Sequence, residues 1–121
     1  MKIPGPDHPI TITPTRKRIR VSIGETVLAD TTRALTLREA TYPAVQYIPR
    51  ADAVLAHMIR TDRVTHCPYK GDASYFSIKD GERTIDNAIW TYEKPFPAMA
   101  EIAGHLAFYP DKVMIEELPM D

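Results

Sequence analysis

Hydrophobic and polar residues alternate in short stretches along much of this chain. In Ile19–Ile23 every second side chain is apolar, as in a strand that buries one face. Thr26–Asp30 follows after Gly24 and Glu25, and a Gly-x pair is typical of a type II′ hairpin turn. The pattern therefore predicts a β-hairpin over residues 19–30.

Two more hairpins are predicted where turn residues separate apolar stretches. Ser74–Lys79 precedes the pair Asp80-Gly81, which tolerates the positive φ angles of a type I′ turn, and a second run ends in Ile89–Tyr92. His105–Tyr109 and Lys112–Glu116 flank a Pro-Asp pair, and the fixed φ of proline suits a tight turn. Further short strand candidates are Ile10–Thr13, Ala34–Leu37 and Val45–Ile48.

Helical signals are few, because 11 prolines interrupt the chain. Pro97–Ala103 begins with proline and ends at Gly104, which fits one or two helical turns. Ala51–Arg60 carries apolar residues on one helical face and predicts another turn or two. Together these patterns predict one mainly β domain over residues 1–121, made of short antiparallel strands and hairpins with one or two short helices.

Composition and charge fit an ordinary globular domain. Of 121 residues, 44% are hydrophobic and 26% are charged. The net charge of −1 gives no global electrostatic attraction to nucleic acid or to an anionic membrane. The one basic cluster, Arg16–Arg20, alternates with an apolar residue, so we interpret it as a solvated strand face rather than a nucleic-acid contact.

The single cysteine cannot form an intrachain disulfide, and no Cys-x-x-Cys pair is present to bind zinc. The first residues lack the apolar core of a signal peptide, and no segment has the roughly 20 apolar residues that span a bilayer. We therefore expect a cytoplasmic protein without a membrane partner. The four histidines have no local ligand spacing, so no metal or cofactor is predicted.

The stretch HCPYKGDASY, residues 66–75, holds the candidate catalytic residues His66, Cys67 and Lys70. A thiolate is a strong nucleophile, and a nearby histidine can accept its proton. However, the residue before Pro68 tends to be extended, and an extended chain directs His66 and Cys67 to opposite faces. The alternative is that Cys67 is a small buried hydrophobe.

A ligand site is a second interpretation of the same region. Lys70 beside Gly71 could bind a phosphate or carboxylate, or it could simply be solvated in a turn. Aromatic side chains on the strands around Asp80-Gly81, with a nearby carboxylate, could bind a small or cationic ligand, or could close the core. The predicted ligand-binding residues are Tyr69, Lys70, Tyr75, Asp86, Trp90 and Tyr92.

Five blocks of the sequence resemble the signature of a bacterial family known only as a domain of unknown function. They are HPITI (8–12), EATYPAVQYIPRAD (39–52), HCPYKGDASY (66–75), AIWTYEKP (88–95) and IAGHLAFYPDKV (102–113). The resemblance implies a β-tent, or Mss4-like, fold, a group that includes methionine sulfoxide reductase B and zinc-binding relatives. Because the paired cysteines of the zinc-binding members are absent here, the resemblance implies no metal, and it assigns no catalytic residue.

Three functions remain open at this stage. The leading hypothesis is a small-ligand-binding or accessory domain with a pocket between the Cys67–Gly71 turn and the aromatic side chains. The first alternative is an enzyme that uses Cys67 as a nucleophile or redox thiol. The second alternative is a protein interaction module that acts through a strand edge or as a homo-oligomer.

Overall fold

Ten short strands and three 3-10 helical segments form the regular structure in the computed structural model, which describes residues 1–120. The strands are β1 (Ile10–Pro14), β2 (Arg18–Ile23), β3 (Thr26–Thr31), β4 (Leu35–Glu39), β5 (Val45–Tyr47), β6 (Met58–Cys67), β7 (Gly71–Asp80), β8 (Arg83–Thr91), β9 (Leu106–Phe108) and β10 (Met114–Leu118). The 3-10 segments are Arg50–Asp52, Leu55–His57 and Pro97–Ile102. The chain is thus a small, mainly β domain, as its sequence predicts.

The strands form three antiparallel sheets. Their orders are β1-β4-β5, β10-β2-β3 and β6-β7-β8-β9. In the four-stranded sheet, Phe76 lies across from Ile89, whereas Tyr75 lies across from Trp90 on the other face. Both faces of this sheet therefore carry large apolar side chains, and each needs a covering layer.

Two clusters of buried side chains supply those layers. The first cluster joins Ile19 and Val21 of β2 to Ile78 and Ile89 of the four-stranded sheet. The second cluster joins residues of β4 and β5, together with Met99 and Ile102 of the last 3-10 segment, to the opposite face. The four-stranded sheet is therefore the middle layer, with a three-stranded sheet packed on each side.

The first predicted hairpin is confirmed, because β2 and β3 pair across Gly24 and Glu25, and Gly24 has a φ of +54°. The second hairpin is also confirmed, but its turn is one residue later than predicted. Asp80 pairs with Arg83, so the turn residues are Gly81 and Glu82, and Gly81 takes the positive φ of +62°.

The third predicted hairpin is wrong. Although β9 and β10 flank the Pro110 turn, β9 pairs with β8, and β10 pairs with β2 in a different sheet. The connection over residues 109–113 crosses from the middle layer to an outer one. A local turn signal cannot reveal this crossing, since the partner of each strand is set by which apolar face it covers.

The helical turn or two predicted within Ala51–Arg60 form as two single 3-10 turns. The prediction is wrong only at its end, because Met58 already begins β6, a ten-residue strand that the sequence patterns did not identify. Pro97–Ile102 does form the short helical segment expected there, as a kinked 3-10 helix, and Gly104 follows with a φ of +72°.

The basic cluster of β2 has acidic partners in the neighbouring strand. Arg18 donates from Nε and Nη2 to the carboxylate of Asp30 at 2.7 Å, and Arg20 Nε lies 3.4 Å from the same carboxylate. These bonds join β2 to β3 on the solvent side. Within residues 1–120, no helix is long and apolar enough to cross a membrane.

We predict that Gly81→Ala lowers the free energy of unfolding by about 1 kcal/mol, because an L side chain is strained at positive φ. A Cβ at Gly81 would have no atom within 4 Å, so any loss comes from the backbone alone. Gly5→Ala is the matched control, since its Cβ would also have open space and its φ is not positive. Chemical denaturation measures both, and an equal effect of the two substitutions would contradict the prediction.

Candidate functional site

A concave pocket of about 240 Å³ lies between the β4–β5 pair and the middle sheet. We call it the tyrosine pocket, because five tyrosines contribute to its wall. Its lining residues are Leu37, Glu39, Tyr42, Pro43, Val45, Tyr47, Lys70, Tyr75, Trp90, Tyr92 and Tyr109. Apolar rings with a few polar groups are the usual lining of a small-molecule site, although this pocket is smaller than the roughly 300 Å³ or more of drug-sized ligand sites.

Strand register explains why these side chains converge. Tyr75 of β7 and Trp90 of β8 are direct cross-strand neighbours and so share one face of the middle sheet. Leu37 of β4 pairs with Val45 of β5, and both face the same cluster of buried side chains. The pocket is the part of this interface between two sheets that side chains do not fill.

Lys70 enters the pocket wall from the turn between β6 and β7. Its side chain is only 9% exposed, and its ammonium group forms an ion pair with Glu39 Oε1 of β4. His8 Nε2 contacts Glu39 Oε2 at 2.7 Å, and the His8 ring stacks on Tyr69 at 4.1 Å. Lys70 is therefore neither a solvated turn residue nor a free cation, since Glu39 neutralises it.

Gly71 makes this position of Lys70 possible. Its φ is +109°, and a Cβ there would lie 3.6 Å from the backbone of residues 94–96. The carbonyl of Lys70 accepts a hydrogen bond from the Phe96 amide at 3.0 Å. The turn is thus held against the segment after β8, and it directs the lysine inward.

Burial and ion pairing act in opposite directions on Glu39. Burial raises the pKa of this carboxyl, but its hydrogen bonds with Lys70 and His8 outweigh burial and hold the pKa below its usual value. Glu39 is therefore a carboxylate at neutral pH. Both of its oxygens already have a protein partner.

Two buried phenol groups of the pocket keep a hydrogen that no protein acceptor takes. Tyr47 Oη accepts a hydrogen bond from Trp90 Nε1 at 3.2 Å, which leaves its own proton free to donate. Among residues 1–120 the Tyr92 hydroxyl has no hydrogen-bond partner, although the side chain is only 6% exposed. Burial raises the pKa of both phenols, so they remain protonated donors.

Tyr75 is in a different environment from the other two phenols. Partial burial raises its pKa, but hydrogen bonds with Thr65, Tyr109 and Arg63 outweigh burial and hold the pKa of Tyr75 below its usual value. Its hydroxyl lies 2.9 Å from Thr65 Oγ1. Partial burial and the bond with Tyr75 raise the pKa of Tyr109 to about 12.

The structure brings four of the six predicted ligand-binding residues into one wall. They are Lys70, Tyr75, Trp90 and Tyr92. Tyr69 lies just outside, where it stacks on His8.

Asp86 does not line the tyrosine pocket. A bulge between β7 and β8, with Asn87 at a φ of +48°, breaks the strand alternation on which its placement was predicted. Its side chain is exposed, and its carbonyl accepts a hydrogen bond from Lys112 Nζ at 2.9 Å.

His66 and Cys67 point to opposite faces of β6. His66 Nδ1 lies 2.8 Å from Asp72 Oδ1 on the exposed side, whereas the half-buried Cys67 packs against the second cluster of buried side chains. Within residues 1–120 no hydrogen bond joins the Cys67 sulfur to a histidine or lysine. The structure thus gives the cysteine-enzyme hypothesis no activating partner for the thiol.

Sequence reasoning missed Glu39, Tyr47 and Tyr109 as pocket residues. Glu39 and Tyr47 belong to the block EATYPAVQYIPRAD, and Tyr109 belongs to IAGHLAFYPDKV. Both blocks carry the family resemblance, which was the one signal that could have drawn attention to them. No cluster of three or more His, Cys, Asp or Glu side chains suited to a metal ion occurs among residues 1–120.

Comparison with known families agrees with the resemblance seen in the sequence. The family described as a domain of unknown function, DUF427, matches residues 11–118. The chain belongs to the DUF427 family. No curated protein matches it significantly.

In this DUF427 domain, we predict that Lys70→Met lowers the free energy of unfolding by about 3 kcal/mol, because it leaves the Glu39 carboxylate in a partly buried site without its main partner. The double variant Lys70→Met/Glu39→Met should lose less than the single one, since neither charge then remains. Urea denaturation of both variants measures the difference.

Arg33→Met is the matched control for a surface pair. Arg33 lies 3.1 Å from Asp52 but is 63% exposed, so its loss should cost less than about 1 kcal/mol. If Lys70→Met cost no more than Arg33→Met, the buried pair would not be holding the two sheets together.

We also predict that Glu39 stabilises this DUF427 domain only while it is ionised. Because its folded pKa is below the usual 4.5, its contribution is present above that pH and is lost as the pH falls through the folded pKa. The stability difference between the wild type and Glu39→Gln should therefore shrink as the pH decreases from 6 to 3. Glu82→Gln, at an exposed residue, is the matched control, and a change with pH as large as that of Glu39→Gln would contradict the prediction.

Proposed function

We propose that this DUF427 domain binds a small organic ligand in the tyrosine pocket. The observation that carries the proposal is the wall itself, where aromatic rings from β5, β7 and β8 surround a buried Lys70–Glu39 ion pair. Ligand sites combine such apolar walls with a few placed polar groups. A core that served stability alone would gain by filling this volume with side chains.

The polar groups of the wall also support a ligand. No fully buried side-chain nitrogen or oxygen among residues 1–120 lacks a hydrogen-bond partner, so a hydroxyl without a protein partner is one that is reached from the pocket. Tyr92 has no protein partner among residues 1–120, and the Tyr47 proton has no acceptor there. A ligand that accepts from these hydroxyls would satisfy groups that the fold positions but leaves open.

The pocket contains its own spectroscopic reporter. Trp90 is the only tryptophan of the chain and forms part of the wall. Its emission therefore responds to a bound molecule without any label. Suitable probes are benzoate, benzamide and benzamidine, which share one flat shape and differ in charge.

We predict that at least one of these probes changes Trp90 emission in a saturable manner. Val45→Phe should weaken that binding at least about tenfold, because the larger ring enters the pocket from β5. Val64→Phe is the matched control, since Val64 is 62% exposed on β6 and lies outside the pocket wall.

The proposal would be overturned if none of the three probes changed Trp90 emission at millimolar concentration. It would also be overturned if Val45→Phe and Val64→Phe bound every probe as the wild type does. Thermal unfolding of each variant confirms that a loss of binding does not reflect a loss of fold.

A further inference from the structure

The groups that the tyrosine pocket leaves open are hydrogen-bond donors. The Tyr47 and Tyr92 hydroxyls are protonated and have no acceptor among residues 1–120. The Lys70 ammonium has three protons, and Glu39 is its only hydrogen-bond partner there. The one carboxylate of the wall, Glu39, already has a cationic or imidazole partner on each oxygen. A ligand that complements these donors must carry hydrogen-bond acceptors.

Three of the six aromatic rings of the pocket already have protein cations over them. The pairs are Arg63 over Tyr75 at 4.9 Å, Lys112 over Tyr109 at 5.3 Å and Lys70 over Tyr92 at 6.0 Å. A cationic ligand binds an aromatic cage through ring faces that are free of charge. At these three rings it would meet a protein cation instead, so they do not form a cage for an ammonium group.

The acidic groups near the tyrosine pocket do not make its inner wall attractive to a cation. Glu39 is neutralised by Lys70. Asp111 acts on Tyr109 from outside the tyrosine pocket, and Glu117 lines a larger adjoining groove that shares Tyr42, Pro43, Val45, Trp90 and Tyr109 with the pocket. The inner wall therefore presents protonated donors and a paired cation to whatever enters it.

We propose that the ligand of the tyrosine pocket is a small organic carboxylate with a flat, apolar body. This inference rests on the proposed function. The carboxylate accepts hydrogen bonds from the Tyr47 and Tyr92 hydroxyls beside Lys70. The flat body packs against Val45 and Trp90, in a cavity of about 240 Å³ that suits a single ring with its carboxylate.

Titration of Trp90 emission with the three probes tests this assignment, since benzoate, benzamide and benzamidine differ mainly in charge. Benzoate should bind at least about tenfold more tightly than benzamide, because charge-assisted hydrogen bonds are about twice as strong as neutral ones. Benzamidine should bind most weakly, since its amidinium meets Lys70 and finds no free acceptor.

Removal of the Tyr92 hydroxyl tests whether this group binds the carboxylate of the ligand. Tyr92→Phe should weaken benzoate binding about tenfold while leaving benzamidine binding unchanged. Tyr69→Phe is the matched control, because Tyr69 is the neighbour of Lys70 in sequence but lies outside the pocket wall. It should leave benzoate binding unchanged.

The outcomes separate this inference from the proposed function. If benzamide or benzamidine bound as tightly as benzoate, the carboxylate assignment would be wrong while the pocket remained a ligand site. Equal benzoate affinity of the wild type and Tyr92→Phe would also overturn the assignment. If no probe bound, the proposed function itself would fail.

Discussion

The ion pair between Lys70 and Glu39 joins the turn between β6 and β7 to the outer β1-β4-β5 sheet. Lysine is rarely buried without a partner, because moving an ammonium group out of water costs several kcal/mol. Glu39 at the end of β4 supplies that partner, and His8 is hydrogen-bonded to the second carboxylate oxygen of Glu39. The turn that carries Lys70 and the strand that carries Glu39 must therefore stay together. Many other features of the site follow from this requirement.

Away from the Lys70–Glu39 ion pair, apolar side chains fill the interface between the β1-β4-β5 sheet and the middle sheet only in part. Tyr47 and Tyr75 enter from opposite sheets, and each has a hydroxyl that cannot be buried without a partner. Tyr47 accepts a hydrogen bond from Trp90, and Tyr75 is bonded to Thr65. These bonds hold the rings at the wall rather than letting them collapse inward, so the pocket stays open between them.

Local patterns revealed much of the fold but little of its assembly. The β2–β3 and β7–β8 hairpins were predictable, since a glycine at positive φ marks each turn. The partners of β9 and β10 were not, because apolar strands on both sides of a turn pair equally well with each other or with distant strands. β6 was missed because it is largely exposed and lacks a regular alternation of apolar residues.

In the candidate site, too, some residues were predictable from the local sequence and others were not. Lys70, Tyr75, Trp90 and Tyr92 were chosen for their chemistry, and strand register brings them into one wall. Glu39 gave no local sign of its role, since a carboxylate becomes significant only when a distant lysine is buried beside it.

The accessibility of the pocket donors bears on the purpose of the pocket. A fully buried hydroxyl without a partner would destabilise the folded state by about 1–3 kcal/mol, but no such side-chain atom occurs among residues 1–120, so the Tyr92 hydroxyl is reached from the pocket. Phenylalanine at Tyr92 would keep the ring, so packing of the ring alone gives no reason for a tyrosine there. Its hydroxyl becomes useful when the proposed ligand brings an acceptor to it. The proposed ligand site thus rests on hydroxyls that the fold positions without a protein acceptor among residues 1–120.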